Sequence, residues 1–195
     1  MMDHPFTLKI SPERGYLELF SNHITRHLSA MRNQFLDKDA YESILKKEDV
    51  LVYEVYESKR PEIAGELLHG ISIVHPGKVG DEYFMTKGHF HSELETAEVY
   101  YCLHGQGMMV METPEGSWTV EAFNAGDLVY VSPRWAHRSV NTSLIEDLIM
   151  LFVYPGNAGH DYRTIERQGF RKMIVDKDSQ VAIVDNPHWI SPEER

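Results

Sequence analysis

A chain of 195 residues, 42% hydrophobic and 25% charged, suits one globular domain with room for a single large core. Its formal net charge of −11 leaves no basic stripe to displace counterions from a phosphate backbone, which argues against general nucleic-acid binding. A small phosphorylated ligand stays open, because a pocket can be locally positive inside an acidic protein.

One cysteine, Cys102, rules out an intrachain disulfide and fits a reducing compartment. The N-terminus MMDHPFTLKISPERGY has no apolar leader, and no run approaches the ~18 apolar residues of a membrane span. The expected location is the cytoplasm, with no membrane contact.

No repeat, low-complexity tract or Gly/Ser linker interrupts the chain, so residues 1–195 read as one domain. An N-terminal arm, 1–49, contains the helical stretch DKDAYESILKKEDV. There Asp39 and Glu42 have capping-box spacing, and Tyr41, Ile44 and Leu45 fall on one side. Glu42, Lys46, Lys47, Glu48 and Asp49 read as a solvated face. From residue 50 to 189 the pattern is strand and turn. LVYEVYES, GISIVHP, YFMTKGHFHS, EVYYCLHG, GMMVMETPEG, SWTVEAF, DLVYVSP, HRSVN and DLIMLFVYP each alternate or carry a short apolar run, most of them closed by Gly, Pro, Asn or Asp. MVMETPEGSWTV reads as two strands around a turn, and KMIVDKDSQVAIVDNP as a late hairpin. The expected class is all-β, an antiparallel sandwich or small barrel with a short helical N-terminal arm.

The chemistry gathers in GHFHSELETAEVYYCLHGQGMM, residues 88–109. On a strand, side chains at i and i+2 share a face, so His89 and His91 can share a ligand. Glu98 and Tyr100 likewise share a face, while Glu93 and Glu95 fall in a connection and read as solvated turn residues. Downstream, GDLVYVSPRWAHRSVN sets a strand between Gly126 and Pro133, followed by His137 and Asn141. Together the two stretches resemble the paired motifs of the cupin superfamily: His89, His91, Glu98 and Gly105 in the first, Gly126, Pro133, His137 and Asn141 in the second. The run from His91 to Glu98 is longer than the commonest cupin pattern, and Trp135 stands where glycine often follows the proline. The resemblance implies a jelly-roll-like β-barrel. Its three imidazoles and one carboxylate suit one divalent metal per subunit, Fe(II) foremost, with Mn(II), Zn(II) or Ni(II) also accommodated and sites left open for substrate.

The flanks are more specific. PGKVGDEYFMTKGHFH, AEVYYCLHGQGMM, TPEG, YVSPRWAHRSVN, YPGNAGHDYRTIERQGF and VDNPHW resemble the cupin-type glucose-6-phosphate isomerases in separate blocks from about residue 50 to 189. The resemblance implies a metal-containing homodimer acting on a sugar phosphate in glycolysis and gluconeogenesis. His89, His91, Glu98 and His137 would hold the metal. Tyr53, Ser72, Thr86, Gly88 and Tyr162 would hold the phosphate end, with Ser72 standing where the family tends to carry threonine. Tyr100 and His160 would face the sugar, and Glu98 and His137 would also serve catalysis. Each position has a plainer alternative: Tyr53 and Tyr100 as core residues with a hydroxyl at the rim, Thr86 and Ser72 as strand formers, His160 as a loop residue. Lys87 points away from Thr86 on a regular strand and is left out of the phosphate set. Two other readings compete. The same donor set suits a cupin dioxygenase, and a non-catalytic sugar-phosphate-binding cupin would bind without turnover.

Overall fold

The computed structural model describes residues 4–18, 20–58 and 60–194; the two ends of the expected domain, at 1 and 195, lie outside the described residues. In the arm, β1 (Ile10–Ser11) and β2 (Tyr16–Leu17) form a short hairpin. β3 (Asn22–His27) follows, then a single 3₁₀ turn over Leu28–Met31 and α1 (Lys38–Leu45). The helix begins one residue after Asp37, whose Oδ1 accepts from the Ala40 N–H at 2.8 Å. The cap is therefore Asp37 rather than Asp39, which sits in the first turn, where its charge suits the helix dipole. Tyr41 is buried as the apolar face requires, and its hydroxyl donates to the Leu28 carbonyl at 2.9 Å. Asp49 is not a bystander on a wet helix face: its carboxylate accepts from the Ser29 N–H and hydroxyl, at 2.8 and 2.7 Å.

The remaining strands are β4 (Leu51–Ser58), β5 (Leu67–Val74), β6 (Lys78–Val79), β7 (Glu82–Tyr83), β8 (Glu98–His104), β9 (Gln106–Glu112), β10 (Trp118–Asn124), β11 (Leu128–Val131), β12 (Ala136–Asn141) and β13 (Leu148–Pro155). After a second helix, α2 (Tyr162–Gln168), come β14 (Lys172–Lys177) and β15 (Gln180–Asp185). The hairpins expected around the Pro-Glu-Gly turn and at the C-terminal end are β9–β10 and β14–β15.

A six-stranded antiparallel sheet runs β11-β8-β13-β5-β4-β3, and a three-stranded one runs β10-β9-β12. The two pack face to face across one core: the Ser139 hydroxyl of β12 reaches Met150 Sδ of β13 at 3.2 Å, among Cys102, Met109, Val140 and Phe123. The all-β expectation holds. Strand β5 is buried on both faces: Val74 joins the main core, Ser72 faces the cavity described below, and Ile71 and Ile73 pack with Leu17 and Ile149 in a second cluster. Two features depart from the sequence reading. β3 extends the large sheet by pairing with β4, so the arm is part of the architecture. The stretch YFMTKGHFHS is not one strand: it holds β7's end and then isolated bridges, Met85 to Val140, His89 to His137 and Phe90 to Asp161.

Candidate functional site

Glu98 opens β8, and the burial pattern along that strand turns Glu98, Tyr100 and Cys102 inward and Tyr101 outward. His137, on β12, lies directly opposite His89. Each donates its backbone N–H to the other's carbonyl, at 3.1 and 3.3 Å. The chain reaches this bridge through Gly88 at φ +73°. A Cβ there would stand 2.5 Å from Phe170 Cε2 and 2.9 Å from the His137 carbonyl oxygen, so the approach requires glycine. Although the segment is not a regular strand, local extension still turns both of its histidines to one side: the His89 and His91 ring centroids are 5.9 Å apart.

One ligand atom from each of His89, His91, Glu98 and His137 lies within 4.8 Å of the others, and all four residues are buried, Glu98 and His137 at 2% exposure. Glu98 Oε2 is 3.1 Å from His91 Nε2 and 3.0 Å from His137 Nε2. The Thr96 hydroxyl donates to the Glu93 carbonyl at 2.6 Å, so its lone pairs accept from His91 Nδ1–H at 2.8 Å. That bond turns the Nε2 lone pair of His91 toward the cluster, the arrangement that orients a metal-binding imidazole. His89 Nε2 is buried without a hydrogen-bond partner. Three imidazoles, two of them with a buried nitrogen that has no hydrogen-bond partner (His89 Nε2 and His137 Nδ1), and one carboxylate are a donor set that a divalent cation completes.

The electrostatics agree. Burial, with the neighbouring imidazoles, pushes His89 well below its ordinary value of 6.5, so the ring is neutral and its lone pair free. Burial alone would raise the Glu98 carboxyl, but in the metal-free cluster the neighbouring imidazoles, His137 above all, outweigh it and bring it to about 2. Burial and then the Glu98 charge push the Tyr100 phenol well above 10, so it stays protonated, with its oxygen 3.2 Å from His137 Nε2.

A cavity of about 310 Å³ opens beside this cluster. Tyr53, Ser72, Thr86, Gly88, Tyr100, His160 and Tyr162 all line it, as do His89, Glu98 and His137, while His91 stands behind them. His160 meets His89 edge-to-face at 4.3 Å and stacks on Tyr162 at 5.8 Å. Burial lowers the His160 imidazole and pushes the Tyr162 phenol up to about 12.

The cavity also has walls that sequence reasoning did not identify. Phe152 and Tyr154 come from β13, and Asn22, Ile24 and Arg26 from β3. Thr96, which orients His91, lies just beyond Glu93 and Glu95 in the same connection; its signal was a hydroxyl five residues beyond a candidate ligand. Lys87 lines the cavity too, since the regular strand that would turn it away is absent, but its Nζ reaches Glu166 Oε1 at 3.3 Å. The buried Arg138 donates twice to the Lys87 carbonyl and lies 4.7 Å over the Phe170 ring, which fixes the Thr86–Gly88 turn from beneath. Asn141, the last residue of the second motif, is fully buried. It donates to the Val74 and Glu146 carbonyls at 2.8 Å, a structural tie away from the cavity. The left-handed residue after Pro133 is Arg134, at φ 74°, not Trp135; its guanidinium is held by Glu115 at 2.6 Å and Glu95 at 3.4 Å.

The model of the family described as glucose-6-phosphate isomerase (GPI) matches residues 25–189. The chain is 46% identical over 185 residues to a glucose-6-phosphate isomerase of Thermococcus gammatolerans, covering 95% of this chain and 96% of that one. It is 44% identical over 189 residues to the same-named protein of Pyrococcus furiosus, covering 97% and 99%. Among solved structures, a cupin 2 conserved barrel domain protein from Salinispora arenicola is similar at TM-score 0.38 and 19% identity, over 52% of this chain and 74% of that one.

Proposed function

The chain belongs to the glucose-6-phosphate isomerase family in its cupin form, and from that premise we propose how its cavity carries out the aldose–ketose interconversion of glucose 6-phosphate and fructose 6-phosphate. The observation that carries the reading is the four-residue donor cluster, buried, set into the wall of a cavity lined by hydroxyls and imidazoles. A divalent ion held by His89, His91, Glu98 and His137 would supply an electrophile for the C1 and C2 oxygens of the open-chain sugar. Fe(II) is the assignment we favour, with Mn(II), Zn(II) and Ni(II) compatible with the same donors.

The protein's own groups then have distinct tasks. Glu98, ionised and next to the reacting carbons, takes the C2 proton and returns it at C1 in an enediol route, while the O2 hydroxyl proton passes to O1 and the carbonyl moves from C1 to C2. Tyr100, kept protonated, donates a hydrogen bond to a sugar oxygen as charge develops there. Neutral His160 packs against His89 and borders the same space. Tyr53, Ser72, Thr86, the Gly88 backbone and Tyr162 grip the phosphate, whose remote binding energy fixes the reacting carbons. A hydride shift from C2 to C1 would leave Glu98 a ligand only. Deuterium from solvent appearing in the product supports the proton route. We further propose a cytoplasmic homodimer serving glycolysis and gluconeogenesis.

The test is a coupled assay from fructose 6-phosphate to glucose 6-phosphate, run before chelation, after chelation, and with single metals restored. Activity should vanish on stripping and return with a divalent ion. Turnover by rigorously stripped protein, or none by loaded protein, overturns the reading.

A further inference from the structure

Strand β3 alternates by exposure: Asn22, His23, Thr25 and His27 are exposed, whereas Ile24 and Arg26 are half-buried and line the cavity. Arg26 lies opposite Tyr53 in the β3–β4 ladder, and the register slips immediately afterwards, between Arg26 and His27. Such a slip bends an edge strand and re-aims its side chains, and it is commonly found beside working sites. The Lys87 backbone and the Arg26 side chain both reach the Tyr53 hydroxyl, and the Arg26 charge also acts on Tyr162. Two tyrosines, the Thr86–Gly88 turn and one guanidinium therefore converge from β3, β4, α2 and the β7–β8 connection.

The other cations nearby are committed. Lys87 faces Glu166, and Arg138 is bound to the Lys87 carbonyl and to Gln34. Arg26 donates to the neighbouring Thr25 carbonyl, at 3.1 Å, and reaches the Tyr53 hydroxyl, and among the described residues no carboxylate lies within ion-pair distance of it. It faces a cavity that Glu57, Glu62 and Glu98 make acidic, in a chain of net charge −11. A phosphate dianion would meet repulsion there unless a cation offset it.

We propose that Arg26, delivered by the N-terminal strand, is the charge-bearing contact for the phosphate ester of the substrate and the residue that favours phosphorylated over neutral sugars. The inference rests on the isomerase reading above. A guanidinium offers five N–H donors in a planar fork matched to phosphate oxygens, more than the Thr25 carbonyl and the Tyr53 hydroxyl engage, so it can form a charge-assisted pair with the ester.

The experiment titrates the metal-loaded enzyme with sorbitol 6-phosphate, which cannot isomerise, by calorimetry, and compares wild type with Arg26→Gln and Arg26→Lys. Affinity should fall by roughly tenfold to a hundredfold in the glutamine variant, with lysine in between. The fall in fructose 6-phosphate kcat/KM with added salt should flatten in Arg26→Gln, which a loss of mere packing would not produce. Equal affinity in wild type and Arg26→Gln, or no binding by wild type, overturns the inference. If the glutamine variant does not fold, wild-type affinity and salt dependence in the lysine variant, which keeps the charge but loses the fork, would overturn the claim of fork recognition. Sorbitol 6-phosphate binding without fructose 6-phosphate turnover would sink the isomerase reading and leave the Arg26 result to stand or fall by itself.

Discussion

Glu98 sits 3.0 and 3.1 Å from two imidazoles and within two strand positions of Tyr100, and in the proposed function this one carboxylate has to serve both the cation and the reacting carbon. The two roles separate by substitution. His137→Ala removes a donor while leaving the backbone bridge to His89 in place, so metal affinity and kcat should fall together, metal affinity by about 10-fold or more. Glu98→Gln keeps an oxygen and the shape but neither charge nor basicity. Metal content measured by elemental analysis should then be partly retained while kcat drops by at least about 100-fold. A fully loaded glutamine variant with wild-type kcat would mean that Glu98 neither ligates in an essential way nor moves a proton.

Among the elements, the Thr86–His91 segment does the most with the least regular structure. Gly88 is its pivot: an alanine there meets Phe170 and the His137 carbonyl and must hold a left-handed backbone that costs ~1–2 kcal/mol. Gly88→Ala should therefore lower the melting temperature by several degrees and weaken metal binding as His89 is displaced, read by thermal scans and by metal titration of the same preparation. A variant that melts lower but binds metal normally would uncouple the turn from the ligands.

The element scale also shows what the sequence could and could not disclose. The four donors were legible because two short motifs put chemically unusual residues at meaningful spacings. The β9–β10 and β14–β15 hairpins were legible because each carried its own turn chemistry. β3 was not: NHITRH buries only Ile24 and Arg26, and then only in part, so its alternation hardly differs from an exposed loop. Arg26 reaches the cavity through a pairing with Tyr53, far along the chain, and no local pattern announces such a contact. α2 did leave a trace, Asp161 as cap and Gly169 as stop in DYRTIERQG, but with 7 residues it is too short to show an apolar face of its own.

At the scale of the whole molecule, the buried cluster links stability to acidity. His89 has a folded value below 6.5, so as pH falls through that range the unfolded chain takes up a proton that the native state refuses. Glu98 is held at about 2 against an ordinary 4.5, so its contribution is intact above 4.5 and is lost as pH falls toward 2. Both shifts have the same sign. Metal-stripped protein should unfold at progressively lower denaturant concentration between about pH 7 and pH 4, and a midpoint that is flat or rises over that range would contradict the burial described here. Protons compete with a cation for the same imidazoles, so the loaded enzyme should also release its metal on acidification.

His137 belongs to the three-stranded sheet, Glu98 to the six-stranded one, and His89 and His91 to the span of chain between β7 and β8. A cation seated among them would act as a rivet through three otherwise separate pieces of the fold. Filling the site would then strengthen the seam between the sheets by mass action, rising with the logarithm of free metal. For such an enzyme, durability under heat becomes a matter of ion supply as much as of sequence.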